Sequence, residues 1–220
     1  MKESTVGVFS LIILATVFPI CVIVAVELIN YPWKDEPPGF KRIIVFRVLS
    51  TSGQLLLAHM ILFTMGNIVK GTLGELGPYF LEACRPNVNC SDPAVYSHFI
   101  KDYTCSGDKK TINQARKTFP SGHASIITLS MVYICLYVEV KLKLKWFFLG
   151  KIFTQFLFMC IAVFVGISRV VDFQHHWVDI FVGFWFGMTY GVGTAYNTKL
   201  FLRHQDKSSK GSESTYSIVS

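Results

Sequence analysis

The chain has 220 residues, 51% of them hydrophobic and only 16% charged, against roughly a quarter charged in a soluble domain. Its apolar residues come in long uncharged runs rather than in periodic stripes. That pattern excludes an ordinary soluble globular domain and points to the bilayer. The net charge of +7 is concentrated in the segments between and after those runs.

Residues 6–26, 48–69, 118–138, 152–168 and 180–198 carry no charged side chain. About 20 such residues cross the roughly 30 Å hydrocarbon core. The expected fold is therefore an all-α, polytopic membrane helix bundle, with five spans near 6–29, 48–69, 120–140, 146–167 and 177–198. The first run is too long for the apolar region of a signal peptide and lacks a strongly basic start, so it reads as an uncleaved span. Pro19 inside it is tolerable in a membrane and would kink the helix. The second span is the most polar, holding Ser50, Thr51, Ser52, Gln54 and His59.

Five crossings divide the connections into two sets. One side holds 30–47, 141–145 and the tail, with Lys34, Lys41, Arg42, Arg47, Lys141, Lys143, Lys145, Lys199 and Arg203. The positive-inside rule makes this side cytoplasmic. Opposite it lie the N-terminus, the long loop 70–119 and the short link 168–176. That loop carries the acceptor sequence Asn89-Cys90-Ser91, so Asn89 is a glycosylation candidate on a lumenal or extracellular side. Cys84, Cys90 and Cys105 share the loop and permit one disulfide, with the pairing left open. Residues 1–200 form one membrane domain, and the polar stretch 201–220 reads as a disordered cytoplasmic tail.

With the spans placed, polar residues converge. Lys70 closes the second span, and Pro120-Ser121-Gly122-His123 opens the third. Ser168-Arg169 closes the fourth, and His175-His176-Trp177-Val178-Asp179 opens the fifth. An end, a start, an end and a start of consecutive spans all lie at one membrane face. Arg169 and Lys70 suit phosphate oxygens. Ser121 and Gly122 stand where a helix begins and free amides meet an anion. His175 and Asp179 are four residues apart, so the carboxylate can orient the imidazole. His123 supplies a second imidazole for acid–base work.

At these residues the sequence resembles the lipid phosphate phosphatases of the type 2 phosphatidic acid phosphatase superfamily. That family carries Lys-x6-Arg-Pro, Pro-Ser-Gly-His and Ser-Arg-x5-His-x3-Asp. The second motif is Pro120-Ser121-Gly122-His123, preceded by the family-like Ala115-Arg116-Lys117-Thr118-Phe119. The third is Ser168-Arg169, then His175, then Asp179. Its spacing selects His175 over His176. The first motif departs from the pattern: it begins with Lys70 and keeps Pro78, but Gly77 stands at the arginine position. The family usually has six spans, and the five here match from the second onward.

The resemblance implies a phosphohistidine on His175, with Asp179 holding its ring. His123 would protonate the leaving alkoxide and then activate water. Lys70, Ser121, the Gly122 amide and Arg169 would stabilise the phosphoryl oxygens, with Arg116 a candidate for the place left by Gly77. It implies no metal and no other cofactor. The implied partners are the membrane and lipid phosphates such as phosphatidate, lysophosphatidate, sphingosine phosphate and ceramide phosphate, in the plasma membrane or an endomembrane. A homo-oligomer is compatible with this, and no nucleic-acid partner is implied. A catalytically weakened homologue that still binds lipid phosphates is the alternative. Two other classes are a haem or metal protein built on His59, His123, His175 and His176, and a transporter.

Overall fold

The computed structural model describes residues 4–32, 39–88, 102–142 and 148–219, with side chains described through Lys199. These residues form seven helices: α1 (Val8–Ile29), α2 (Phe40–Leu73), α3 (Phe80–Cys84), α4 (Lys109–Ala115), α5 (Gly122–Lys141), α6 (Phe148–Val171) and α7 (Trp177–Val219). No β-sheet occurs among the described residues, apart from an isolated bridge between Pro86 and Cys105.

Four of the helices, α1, α2, α5 and α6, are long and apolar enough to cross a membrane. The fifth expected span is present as the first half of α7 but falls short of that apolarity. The reason lies in how it packs. A Cβ at Gly183 would stand 2.8 Å from the Ser121 carbonyl, and one at Gly191 2.9 Å from that of Leu129; Gly187 lies against the Ser125 carbonyl in the same way. Glycine every fourth residue lets α7 lie backbone to backbone on α5, as small residues do between membrane helices. Those glycines lower the hydropathy of a helix whose first half packs closely on α5.

Helix α5 is the centre of the fold. Its apolar stretch is 67% buried, against 17–28% in the other three spanning helices. Ile127, Leu129, Met131, Tyr133 and Ile134 are fully enclosed. The outer helices instead expose Phe9, Leu57, Phe63, Phe153, Phe156, Phe181 and Trp185. A hydrocarbon solvent makes such a surface ordinary.

Pro19 has no amide to give, and the carbonyl four residues back is that of Ala15. Helix α1 widens into a π-helical turn over Ile13–Val17, and the Ser130 hydroxyl lies 2.7 Å from the Ala15 oxygen. His59 Nε2 in turn bonds Ser130 Oγ at 2.8 Å. His59 is thus part of this packing, deep in the bundle, and does not face His123, His175 or His176.

Three boundaries differ from the sequence reading. Helix α2 starts at Phe40 rather than near 48, so its 34 residues extend about 51 Å and outreach the hydrocarbon core. The loop 70–119 contains the short helices α3 and α4, tied by a Cys84–Cys105 disulfide over a small core of Phe80, Cys84 and Ala115. The backbone of α7 stays helical through Val219, where the composition reads as a disordered tail. A spanning helix already supplies the nucleus for it. Asn89 and Cys90 lie outside the described residues, as do Lys34, Lys143 and Lys145.

Candidate active site

The α2 C-terminus, the α5 N-terminus and the α6–α7 link meet at one end of the bundle. Ser121 caps α5: its carbonyl accepts the Ser125 amide at 3.1 Å and the Ser125 hydroxyl at 2.8 Å, and its own amide donates to the Asp179 carbonyl at 3.1 Å. The start of α5 is thereby bonded to the start of α7. The opening amides of α5 and the side chain of Asp179 are held in one place.

Asp179 is completely buried. Its Oδ2 accepts the His176 backbone amide at 3.0 Å and bonds His175 Nδ1 at 3.2 Å, one helical turn away. That bond fixes the tautomer and leaves Nε2 of His175 as the lone-pair nitrogen. His176 behaves differently. Its ring is 46% exposed and stands 3.9 Å from the same oxygen, whereas the His175 ring is 11% exposed. Burial, above all, holds His175 below the usual histidine range. The Lys70 and Arg169 charges act the same way, and Asp179 opposes them.

A cavity of about 260 Å³ is lined by Lys70, Pro120, Gly122, His123 and His175, with apolar walls from α1, α2 and α7. His123 Nε2 is buried there without a hydrogen-bond partner among the described residues. Two imidazoles, one ammonium and a helix N-terminus therefore line one small space. That set can bind a phosphoryl group and move protons on either side of it.

Arg169 is fully buried, and its donors are largely engaged. Nη2 pairs with Asp172 Oδ2 at 3.0 Å, and Nη1 donates to Ser4 Oγ at 2.7 Å and to Gln174 Oε1 at 3.0 Å. Nε is buried without a partner among the described residues. Asp172 also accepts the Thr5 amide and the Thr5 hydroxyl, both at 2.7 Å. The chain segment before α1 thus clamps the arginine. Sequence reasoning missed Ser4, Thr5, Asp172 and Gln174, although Asp172 follows Arg169 by three residues on one helical face, a spacing that favours an ion pair. Removing one partner of a buried pair strands the other charge. Asp172→Ala is expected to cost about 3–5 kcal/mol, a fall of roughly 10 °C in the unfolding midpoint measured in detergent. The double change Arg169→Met with Asp172→Leu should recover most of that stability, because no charge is left uncompensated.

Arg116 does not line this cavity. It is exposed, donates to the Tyr103 hydroxyl at 3.1 Å and lies 5.4 Å over the Phe80 ring. Gly77 is buried beside the same loop, its amide donating to the Ala115 carbonyl at 2.7 Å. A Cβ there would come within 2.5 Å of the Thr118 methyl. One group of donors suited to a cation, Glu75, His176 and Asp179, lies within 4.8 Å of one another. Asp179 Oδ2 is already committed to His175.

Comparison with known proteins bears on this arrangement. A model of the PAP2 superfamily matches residues 52–202, more than half of the chain and all of the cavity's polar lining. The chain belongs to the PAP2 superfamily. Among individual PAP2 relatives, it is 37% identical to phospholipid phosphatase 1 of Mus musculus over 54% of its length and 42% of that protein's. It is 29% identical to a putative phosphatidate phosphatase of Drosophila melanogaster, over 82% of its length and 53% of that one. It is also 36% identical to phospholipid phosphatase-related protein type 1 of Xenopus tropicalis, over 68% of its length and 45% of that one. The chain spans about half the length of the curated relatives it matches. It is an integral membrane protein of that superfamily.

Proposed function

We propose that this protein hydrolyses phosphate monoesters of membrane lipids through a phosphohistidine on His175. The observation that carries the reading is the shared cavity of His123, His175 and Lys70, with Asp179 buried behind His175. Nε2 of His175 attacks phosphorus, and the lipid oxygen leaves with a proton from His123. Neutral His123 then takes a proton from water, which attacks the phosphohistidine and releases inorganic phosphate and free His175. Lys70, Ser121, the Gly122 amide and Arg169 stabilise the charge on the equatorial oxygens. The headgroup sits at the end of the bundle, with its hydrocarbon at membrane depth, so phosphatidate, lysophosphatidate, sphingosine phosphate and ceramide phosphate all fit. No metal has a step in this scheme. Phosphate release from phosphatidate by detergent-solubilised protein, with and without chelator, tests it; turnover lost to chelator would overturn the scheme.

A second reading is a weakened homologue that binds lipid phosphates. It is favoured by Gly77 in place of arginine and by relatives whose names say only that they are phosphatase-related. Lipid binding without phosphate release would support it over the enzyme.

Attack requires neutral His175. A histidine pKa held below its ordinary value of about 6.5 keeps the ring neutral to lower pH, so the acid limb of kcat/KM is expected below that value. Lys70→Met removes a cation that depresses the pKa, and the limb of its residual activity should move upward. A wild-type limb above pH 6.5 would contradict the assignment.

We further propose that the face bearing the cavity is lumenal or extracellular, in the plasma membrane or an endomembrane. The Cys84–Cys105 disulfide on that face and the basic residues Lys41, Arg42, Arg47 and Lys141 toward the other support this. Asn89→Gln is expected to raise gel mobility of protein made by a glycosylating cell. Cytoplasmic labelling of a cysteine introduced beside Asn89 would reverse the orientation.

A further inference from the structure

The cavity does not end beneath the headgroup site. From Lys70 and His175 it follows α2 past Gly66, Phe63 and Leu62, and reaches Phe186 and Tyr190 on α7. Tyr190 also lines a second groove, of about 610 Å³, that continues along the same two helices past Ile61, Ala58, Thr194 and Gln54 to Asn197. The two spaces occupy successive halves of one seam, with Tyr190 between them. Their combined run from Lys70 to Gln54 is 17 residues of α2, about 24 Å at the helical rise, most of the roughly 30 Å hydrocarbon core.

The deeper groove is more apolar than its residue names imply. The Thr189 hydroxyl donates to the Trp185 carbonyl at 2.8 Å and the Thr194 hydroxyl to the Tyr190 carbonyl at 2.7 Å. Each hydroxyl is satisfied within its own helix, which leaves the methyl groups for the groove. Gln54 Oε1 accepts from the Thr198 hydroxyl at 2.6 Å. The contrast with the adjoining face of α7 is sharp. There Gly183, Gly187 and Gly191 bring the backbone onto α5 and leave no room for a guest.

We infer that the α2–α7 seam is the track for one acyl chain of the substrate, and that Tyr190 sets the chain length accepted. The inference rests on the lipid phosphatase reading and adds where the tail goes. Continuity with the headgroup cavity, the membrane-deep length and the methyl-lined walls identify the occupant as a single long hydrocarbon chain bearing a terminal phosphate. A bilayer tail gains nothing by moving from lipid to an apolar groove. Selection by length must therefore come from shape, as a bulky side chain at Tyr190 would impose it.

The test uses monoalkyl phosphates with a photoreactive diazirine at the chain end, added to the full chain in lipid nanodiscs and mapped by peptide sequencing. A long-chain probe is expected to label residues 193–197 and the neighbourhood of Ala58, and a short-chain probe Phe186 and Gly66. Tyr190→Trp should remove the deep label and lower kcat/KM for the long substrate about tenfold relative to the short one; Tyr190→Ala should shift that ratio the other way. Should either variant misfold, the wild-type labelling pattern alone decides. An alkanol with the same diazirine should not label the groove, and equal labelling would make it a general lipid contact and overturn the track. Normal phosphate release with label elsewhere also overturns it while leaving the enzyme reading intact. Phosphate-dependent groove labelling without any release supports the track and defeats the enzyme reading instead.

Discussion

His175→Ala and His123→Ala are each expected to lower kcat for phosphate release by at least about a thousandfold, while His176→Ala retains most of the activity. The three histidines are close in sequence or in space, so composition does not separate them. Geometry does. His175 bonds Asp179 through Nδ1 and lines the cavity that His123 shares. His176 is half exposed, contributes its backbone amide to Asp179 and lines a separate groove with Gly77, Phe80 and Tyr103. The two essential histidines should also fail differently. Without His123 the nucleophile remains, so a substrate with a good leaving group such as a nitrophenolate should still phosphorylate the protein, and the acid-labile label should persist because water lacks its base. Without His175 no label should form with any substrate. Equal labelling of the His175→Ala protein would remove the nucleophile assignment, and full activity of the His123→Ala protein would remove the acid–base one.

Much of this site was legible because its logic is local. A carboxylate four residues after a histidine lands on the same helix face, and helix ends alternate between two sides of a membrane whatever the packing. Those two rules alone bring Lys70, Ser121, His123, Arg169, His175 and Asp179 to one face. What the sequence withheld is non-local. Ser4 and Thr5 close on Arg169 and Asp172 across more than 160 residues, and no periodicity connects them. The Cys84–Cys105 pairing is a tertiary fact as well. The last span shows the opposite problem. Its glycines dilute the apolar signal for the same reason that they make it pack, since a residue that admits a backbone contact contributes no hydrocarbon of its own. The four-histidine set of the haem or metal alternative is not assembled, because His59 bonds Ser130 at the π-helical turn that Pro19 induces.

Gly77→Arg is the change that a comparison of motifs recommends, since it would restore the guanidinium of Lys-x6-Arg-Pro and raise kcat/KM. The structure reverses the sign for the single substitution. Gly77 is buried, and its first side-chain carbon would stand 2.5 Å from the Thr118 methyl, closer than any relaxed contact. Thr118 cannot simply rotate away, because its hydroxyl donates to the Glu75 carbonyl at 3.2 Å and its amide to the same oxygen at 3.3 Å. Overpacking of this kind costs about 1–3 kcal/mol, so Gly77→Arg alone should lower both stability and turnover. Thr118→Ser keeps the hydroxyl bond and deletes the methyl. In that background the nearest remaining carbon is Tyr79 Cε1, 3.3 Å from the added Cβ and at the edge of a ring that can give, and the charged hydrogen bonds the arginine can offer are worth about 1.5–3 kcal/mol each. The double variant is therefore expected to gain one to two orders of magnitude in kcat/KM over Thr118→Ser. Arg116→Ala should change turnover little, because Arg116 is spent on Tyr103 and Phe80; near-complete loss would instead make Arg116 the substitute phosphate ligand. A gain from Gly77→Arg alone would show that Thr118 yields freely. A folded double variant with no gain would mean that position 77 does not face the phosphate, and the first-motif alignment beginning at Lys70 would have to be abandoned.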